Sequence, residues 1–538
     1  MRKSLLIRLL LLYIISLASS CSSTKVGDMP NQIPSKAQIK LETETIATLR
    51  ILHFNDFHAQ NLPYTDRNRE TGKTELVGGM AYMKTLIDSL RSFSPYPTML
   101  LNAGDNFQGT PISTFTKGLS SVYILNALIP DVVTVGNHEF DYGYLSYRNL
   151  LDTYGYFSTV CANLVFAFTG EPVFPPYSVH DLGGIKVAII GLITTDLPTV
   201  SMPYNIVGLG VLPYEKALDE LLPEIQSVHK PDAIIILSHI GVTEDIKLAK
   251  KYPQITAFIG GHSHTPIFKP IGENHSPVVQ AGSKGKYLGQ LDLKIDLKND
   301  SLLGFEGKLI PILTDSLNPH PTLSKFIDSL EAPIELKLSE KIGILKTDFT
   351  RRGNGPSNVG NWLAMVYRKG TNADLGVQNA GGIRRDLVSG DIRLKDIYEL
   401  VPFGNDVVKM LVTGKELVSM LQWQLQGKGS YCDFEGLICE IDTIGNKSDV
   451  YIVSVNGKPF SETATYSIAT NAYVHTQHKS LFGLDAKPEF QSTPFVDTDF
   501  IVDFVRKNPM VDAQVSFWGI QRVTKPLPIL TPKKNLKK

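Results

Sequence analysis

From residue 49 to about 296 the chain alternates short apolar or β-branched runs with longer amphipathic stretches. The runs at 49–54, 99–102, 132–135, 186–192, 233–237, 257–259 and 278–281 are predicted strands, and 79–91, 121–128 and 213–229 are predicted helices between them. A strand with one wet face alternates apolar and polar residues, whereas Ala233-Ile234-Ile235-Ile236-Leu237 has to be covered on both faces. Such strands interleaved with helices predict an α/β layered domain. Helical spacing at 323–339 closes it and puts a boundary near residue 340. The second segment is punctuated differently, with a predicted helix at 359–368, short strands near 451–455 and 466–470, and many turns.

The first residues do not follow this pattern. Arg2, Lys3 and Arg8 precede or enter an apolar run at 9–17, which ends in Ala18-Ser19-Ser20-Cys21. This predicts a secretory signal peptide over 1–21 with a lipoprotein-type cleavage box and lipidation at Cys21. Residues 22–47 are polar, contain Pro30 and Pro34, and read as a tether; 48–322 is the main domain, 323–340 a linking helix, 341–525 the second domain and 526–538 a basic tail. No later run approaches the roughly 20 apolar residues of a membrane-spanning helix. The expectation is an exported protein of the periplasm or cell envelope that meets the membrane only through its anchor, as a monomer or weak dimer.

Composition narrows the partners. A chain of 538 residues exceeds one ordinary core, and 43% hydrophobic with 20% charged residues suits a folded chain rather than a disordered one. Lys plus Arg equals Asp plus Glu at 53 each, so no overall field draws in a nucleic acid polymer. After Cys21 only Cys161, Cys432 and Cys439 remain, too few for a disulfide framework. Cys432 and Cys439 could close a small loop in an oxidising compartment, and Cys161, in an apolar stretch, reads as an inert buried thiol.

The chemistry sits where predicted strands end. Asp56 and His58 follow the first strand, Asp105 the second, Asn137 and His138 the third, His239 the fifth, and His262 with His264 the sixth. In open α/β sheets ligand sites form beyond the carboxyl ends of the strands, so these distant residues converge on one edge. Imidazole with carboxylate suits Zn, Mn, Fe or Co, and one carboxylate can bridge two ions roughly 3.5–4 Å apart. The cysteines are remote from every cluster, which argues against a thiolate zinc site. His53, inside the first strand, reads as a core or supporting histidine.

The blocks Asn55-Asp56-Phe57-His58, Gly104-Asp105, Gly136-Asn137-His138-Glu139-Phe140-Asp141, Ser238-His239 and Gly260-Gly261-His262-Ser263-His264 resemble the ordered motifs of the calcineurin-like metallophosphoesterases. The resemblance implies a four-layered α/β sandwich holding two divalent metal ions. Asp56, His58, Asp105 and His264 would hold one ion and Asp105, Asn137, His239 and His262 the other, with Asp105 bridging. Many relatives carry Gln at the position of His264. By the same resemblance His138 contacts the phosphate and stabilises the charged transition state, and Asp141 orients its ring.

Further on, Asn379-Ala380-Gly381-Gly382-Ile383-Arg384 and Val401-Pro402-Phe403-Gly404-Asn405 resemble the C-terminal domain of 5′-nucleotidases, a smaller α+β substrate-binding domain. The resemblance implies that Arg384 contacts phosphate, Asn379 helps position the nucleoside and Phe403 stacks on the base. A guanidinium presents fixed donors to phosphate oxygens, and a ring face accepts any nucleobase. Arg351 or Arg352 would add a second Arg. Where relatives carry another aromatic and a GGDG-like loop, this chain has Tyr473 and no recognisable loop, with Gly483-Leu484-Asp485 a weak counterpart. The leading expectation is a 5′-nucleotidase that also opens 2′,3′-cyclic nucleotides or cleaves nucleotide sugars. The alternatives are a hydrolase of a non-nucleotide phosphate or a sulfur ester, and an inactive surface binding protein.

Overall fold

In this computed structural model, residues 45–67, 73–272, 276–444, 447–513 and 522–523 are described. The expected signal peptide, Cys21, nearly all of the tether and the basic tail lie outside the described residues. Among the described residues no helix is long and apolar enough to cross a membrane.

Two sheets form the centre of the first domain. One is built from β1 (Ile46–Phe54), β2 (Thr98–Asn102), β3 (Val132–Thr134) and β4 (Ser158–Val160), the other from β5 (Tyr177–Asp181), β6 (Lys186–Ile193), β7 (Ala233–His239), β8 (Ala257–Gly260) and β9 (Val278–Gln280). The antiparallel strands β10 (Tyr287–Asp296) and β11 (Ser301–Pro311) complete the first sheet, in the order β11-β10-β1-β2-β3-β4, while the second runs β9-β8-β7-β6-β5. Within each strand, odd and even positions go opposite ways. Leu49, Ile51, Val187, Ile189, Ile235 and Leu237 fill the layer shared by the two sheets.

The alternate positions face helices. Leu52 and Phe54 pack under α1 (Met80–Ser92) and α2 (Leu119–Leu128), and Ala188, Ile190, Ile234 and Ile236 under α3 (Tyr214–Val228) and α4 (Val242–Lys251). Continuous apolar strands are therefore the requirement of a helix–sheet–sheet–helix stack in which the central strands have no wet face. The division into two sheets is not visible in the linear pattern, and β11, never fully buried, was not predicted.

Helix α5 (Pro321–Leu338) joins the domains. Leu323 and Ile327 are buried in the helical layer of the first domain, and Leu338 in the core of the second. The second domain is organised around a five-stranded sheet with α6 (Asn358–Thr371) on one face and α7 (Gly414–Leu425) on the other. Its strands are β12 (Leu375–Asn379), β13 (Asp406–Thr413), β14 (Cys432–Glu435), β15 (Thr465–Asn471) and β16 (Phe490–Val496), in the order β14-β12-β15-β13-β16.

Cys161, Cys432 and Cys439 are buried thiols, and the small disulfide loop between Cys432 and Cys439 is not formed. Cys432 belongs to β14 and Cys439 to the separate strand Leu437–Ile444, and both point into one apolar cluster. Burial pushes the Cys161 and Cys439 thiols up to about 12, which suits inert packing groups.

Candidate metal centre and active site

Every strand-end residue singled out in the first domain gathers at the carboxyl edge of the two sheets. Asp56, His58, Asp105 and His264 present ligand atoms within 4.8 Å of one another, as do Asp105, His239 and His262, so Asp105 is common to both groups. His264 Nε2 lies 3.0 Å from His58 Nε2 and 3.1 Å from Asp56 Oδ1. On the other side, His239 Nε2 lies 3.1 Å from Asp105 Oδ2.

Forcing so many polar groups together strains the backbone. Asp56, His58, Asp105, His262 and His264 all have φ between 50° and 76°, the left-handed region that costs a side-chain-bearing residue roughly 1–3 kcal/mol. Glycines make the room. A Cβ on Gly136 would lie 2.2 Å from Asp105 Oδ1, and one on Gly261 2.8 Å from His239 Nδ1. Gly136→Ala is therefore expected to displace Asp105 and lower turnover by about 10²-fold, since a misplacement near 1 Å costs that much. A turnover assay beside a thermal melt checks it, and unchanged turnover would show that the edge tolerates the shift.

The donor set fits cations. Asn137 Oδ1 is buried with no hydrogen-bond partner among the described residues, which water-excluded polar atoms rarely are unless a ligand satisfies them. Burial alone would lower the His239 imidazole, but Asp105 and Asp56 raise it to about 10, so the carboxylates favour positive charge there. Against the opposing effect of burial, His264 and His239 hold Asp56 down at about 2, and His239 and His138 hold Asp105 well below the usual carboxylate range. Burial and His239 together lower His262 to about 4, leaving it a neutral donor. The second ring nitrogens are fixed by carbonyls: His239 Nδ1 by Ala103 O at 2.7 Å, His58 Nδ1 by Gln108 O at 2.9 Å.

His138 holds Asp141 Oδ2 at 2.7 Å through Nδ1, while its Nε2 stands 4.0 Å from Asp105 Oδ2. Burial would lower this imidazole, yet Asp141 and Asp105 leave it raised above its ordinary value. His53 is buried against Gly289 and is lowered to about 3 by burial, a neutral core histidine.

Some supporting residues escaped sequence reasoning. Glu139 accepts from the amides of Asp105 at 2.9 Å, Asn106 at 2.6 Å and Gly136 at 2.7 Å, locking the loops after β2 and β3 together. Burial and Asp105 push it up to about 7. Gln280 holds Gly261 O and Thr265 N, shaping the loop that carries His262 and His264. Glu139 lies inside the GNHEFD block and could have been found there; Gln280 carries no such signal.

A cavity of about 270 Å³ joins this edge to the second domain. Asp105, Asn137, His138, Asp141, His262 and His264 line one side, with Asn379, Arg384, Phe403 and Tyr473 opposite. Asn405, Ser430, Met202 and Tyr204 also line it and were not anticipated. Phe403 stacks on the His138 ring, centroids 5.7 Å apart at 20°, and Arg384 Cζ stands 5.6 Å from the Phe403 centroid. Tyr473 Oη donates to Thr199 O at 2.7 Å, a bond between the domains. Arg351 Nη1 donates to Ile383 O at 3.3 Å, beside Arg384, but Arg351 and Arg352 are both exposed and neither lines the cavity. Gly483 closes a short helix against Trp423, away from the cavity wall.

Comparison with known proteins gives two family matches: calcineurin-like phosphoesterase over residues 49–266 and 5′-nucleotidase, C-terminal domain, over residues 338–483. The chain is similar to Protein UshA of Escherichia coli, 26% identical over 90% of this chain and 95% of the relative. It is also similar to a 5′-nucleotidase of Vibrio cholerae, 27% identical over 92% and 97%. The crystal structure of a 5′-nucleotidase precursor from Thermus thermophilus superposes with a TM-score of 0.76 at 26% identity, covering 89% of this chain and all of that one.

Proposed function

We propose that this chain, which belongs to the 5′-nucleotidase family of metallophosphoesterases, is an exported enzyme releasing phosphate from nucleoside 5′-monophosphates, with 2′,3′-cyclic nucleotides and nucleotide sugars as further substrates. The observation that carries this reading is the single cavity in which the ligand cluster of one domain faces Asn379, Arg384, Phe403 and Tyr473 of the other. Hydrolysis and recognition then divide between the domains.

Asp56, His58, Asp105 and His264 would hold one divalent ion and Asp105, Asn137, His239 and His262 the second. Such a pair supplies the Lewis acidity that activates water and neutralises phosphoryl oxygens. The protein's own groups do the rest. Arg384, without a carboxylate partner among the described residues, is available to fork onto phosphate oxygens. His138, whose imidazole Asp141 and Asp105 raise against the effect of burial, faces the same space and would donate to charge developing on the phosphoryl group. Phe403 and Tyr473 would hold the base. Export and lipidation at Cys21 rest on the N-terminal charge and apolar pattern.

Tyr473→Ala and Phe403→Ala test the recognition half. Base stacking is worth roughly 1–3 kcal/mol, so kcat/KM for nucleotides should fall about 5- to 150-fold. A small aryl phosphate should lose far less in Tyr473→Ala. Phe403→Ala also uncovers His138, so its aryl phosphate loss should be the larger of the two. Equal losses for every substrate in the Tyr473 variant would make that ring structural and point to a non-nucleotide substrate.

A further inference from the structure

The parallel strands β1 to β4 end at the candidate metal centre and begin at the opposite edge of their sheet. At that far edge the turns leading into β2, β3 and β4 each carry one large apolar residue turned to solvent: Phe93 is 85% exposed, Ile129 60% and Tyr156 87%. The three turns are tied together. Arg91 Nη2 donates to Ile129 O at 3.0 Å and joins the end of α1 to the end of α2. Asn126 donates to Tyr154 O at 2.6 Å and accepts from the Tyr156 amide at 2.9 Å, which joins α2 to the helix Tyr144–Tyr154. The fold carries this row at a cost. Ile129 caps α2 with φ 58°, a left-handed conformation in which a β-branched side chain is strained and where Gly or Asn would end the helix more easily.

A single exposed apolar residue needs no explanation, but three on adjoining turns, one of them strained, mark an interaction surface. Arg91 and Asp131, the charges beside Ile129, pair at 2.9 Å, so the row is locally neutral and suits an apolar partner rather than a charged one. Where the chain arrives indicates which partner. β1 begins at the exposed Ile46 on this same edge, and residues 22–45 lead to it from Cys21. A chain held to a bilayer by lipid at Cys21 therefore enters the first domain beside the row, with the cavity at the other end of the strands. Phe and Tyr rings at loop tips suit the boundary between headgroups and acyl chains, which accepts both an apolar body and a phenol. We propose that Phe93, Ile129 and Tyr156 dock the first domain onto a lipid bilayer, so that the substrate cavity opens away from the membrane. The inference rests on the lipid-anchor reading above and goes beyond it: the anchored domain lies on the membrane in one orientation instead of floating on its tether.

The test uses the full chain and vesicles of zwitterionic phosphatidylcholine brominated on its acyl chains, since bromine quenches a tryptophan that it touches. Tyr156→Trp should add emission that these vesicles quench by about half or more, as for a ring set into the headgroup boundary. Val388→Trp, at an exposed position of the second domain, should add emission that they leave intact. Phe93→Ser with Ile129→Asn, placed in the Tyr156→Trp chain, should abolish the quenching without releasing a lipidated chain from the vesicles. Phosphate release in solution should not change, because neither residue lines the cavity, and the thermal midpoint should not fall, because Asn accepts the left-handed turn better than Ile. Mass spectrometry of the same preparation reads the lipid at Cys21. Quenching in a chain that carries no lipid keeps the surface and sinks the anchor. A lipidated chain whose Tyr156→Trp emission is untouched overturns the surface and keeps the anchor, and absence of both overturns both. Equal quenching at positions 156 and 388, or dimers in solution that Phe93→Ser dissociates, also overturns the bilayer, the second result by giving the row to another copy of the chain.

Discussion

Asp105→Asn should leave the protein folded and reduce phosphate release by on the order of 10³-fold or more. The carboxylate is the one group common to both clusters, with Oδ2 3.1 Å from His239, 3.9 Å from His58 and 4.0 Å from His138. Its amide replacement keeps an acceptor for the His138 amide, which now bonds Oδ1 at 2.9 Å, so the loop has no reason to unfold. What disappears is the negative charge that the two proposed ion sites would share, and with it the activation of water and the neutralisation of phosphoryl oxygens that bound ions would supply. Metal content, a thermal melt and turnover on a nucleoside monophosphate should be measured together. Full turnover in a variant that has lost its metal would rule out a dinuclear reaction.

His138→Ala should lower turnover by about 10²-fold while metal content holds, the effect of removing a positioned acid or charge donor rather than a ligand. Its Nδ1 is occupied by Asp141 and its Nε2 faces the cavity, so the ring touches the reaction space without belonging to either cluster. Loss of metal in this variant would reassign His138 as a ligand. The same substitution removes the surface on which Phe403 stacks. A rise in KM beyond the fall in kcat would therefore report the loosened ring.

The layered architecture of the first domain was legible because its central strands are covered twice. Ile235 faces the other sheet and Ile236 a helix, and only unbroken apolar runs satisfy both. The residues that cluster at the sheet edge were legible because they follow those runs directly. The partition into two sheets was not, since strand order is decided by tertiary pairing, and β11 is too exposed to leave an apolar signature. Nor does spacing reveal which residues brace the loops: Glu139 and Gln280 act on backbone amides and carbonyls brought close only by folding. The choice between Arg351 and Arg352 likewise turns on a contact made only by folding, Arg351 Nη1 to Ile383 O at 3.3 Å. Whether Cys432 and Cys439 pair was left open by the sequence, because seven residues of separation say nothing about two thiols assigned to different sheets.

The central claim, hydrolysis of a nucleotide at a centre that needs two ions, is tested most directly by titrating chelator-treated protein with Mn²⁺ or Zn²⁺ while phosphate release from a nucleoside 5′-monophosphate is followed. The account predicts negligible release at the start and a rise that saturates at two ions bound per chain. Release that is already maximal before metal is added, or that never develops for any nucleotide once two ions are bound, would contradict it.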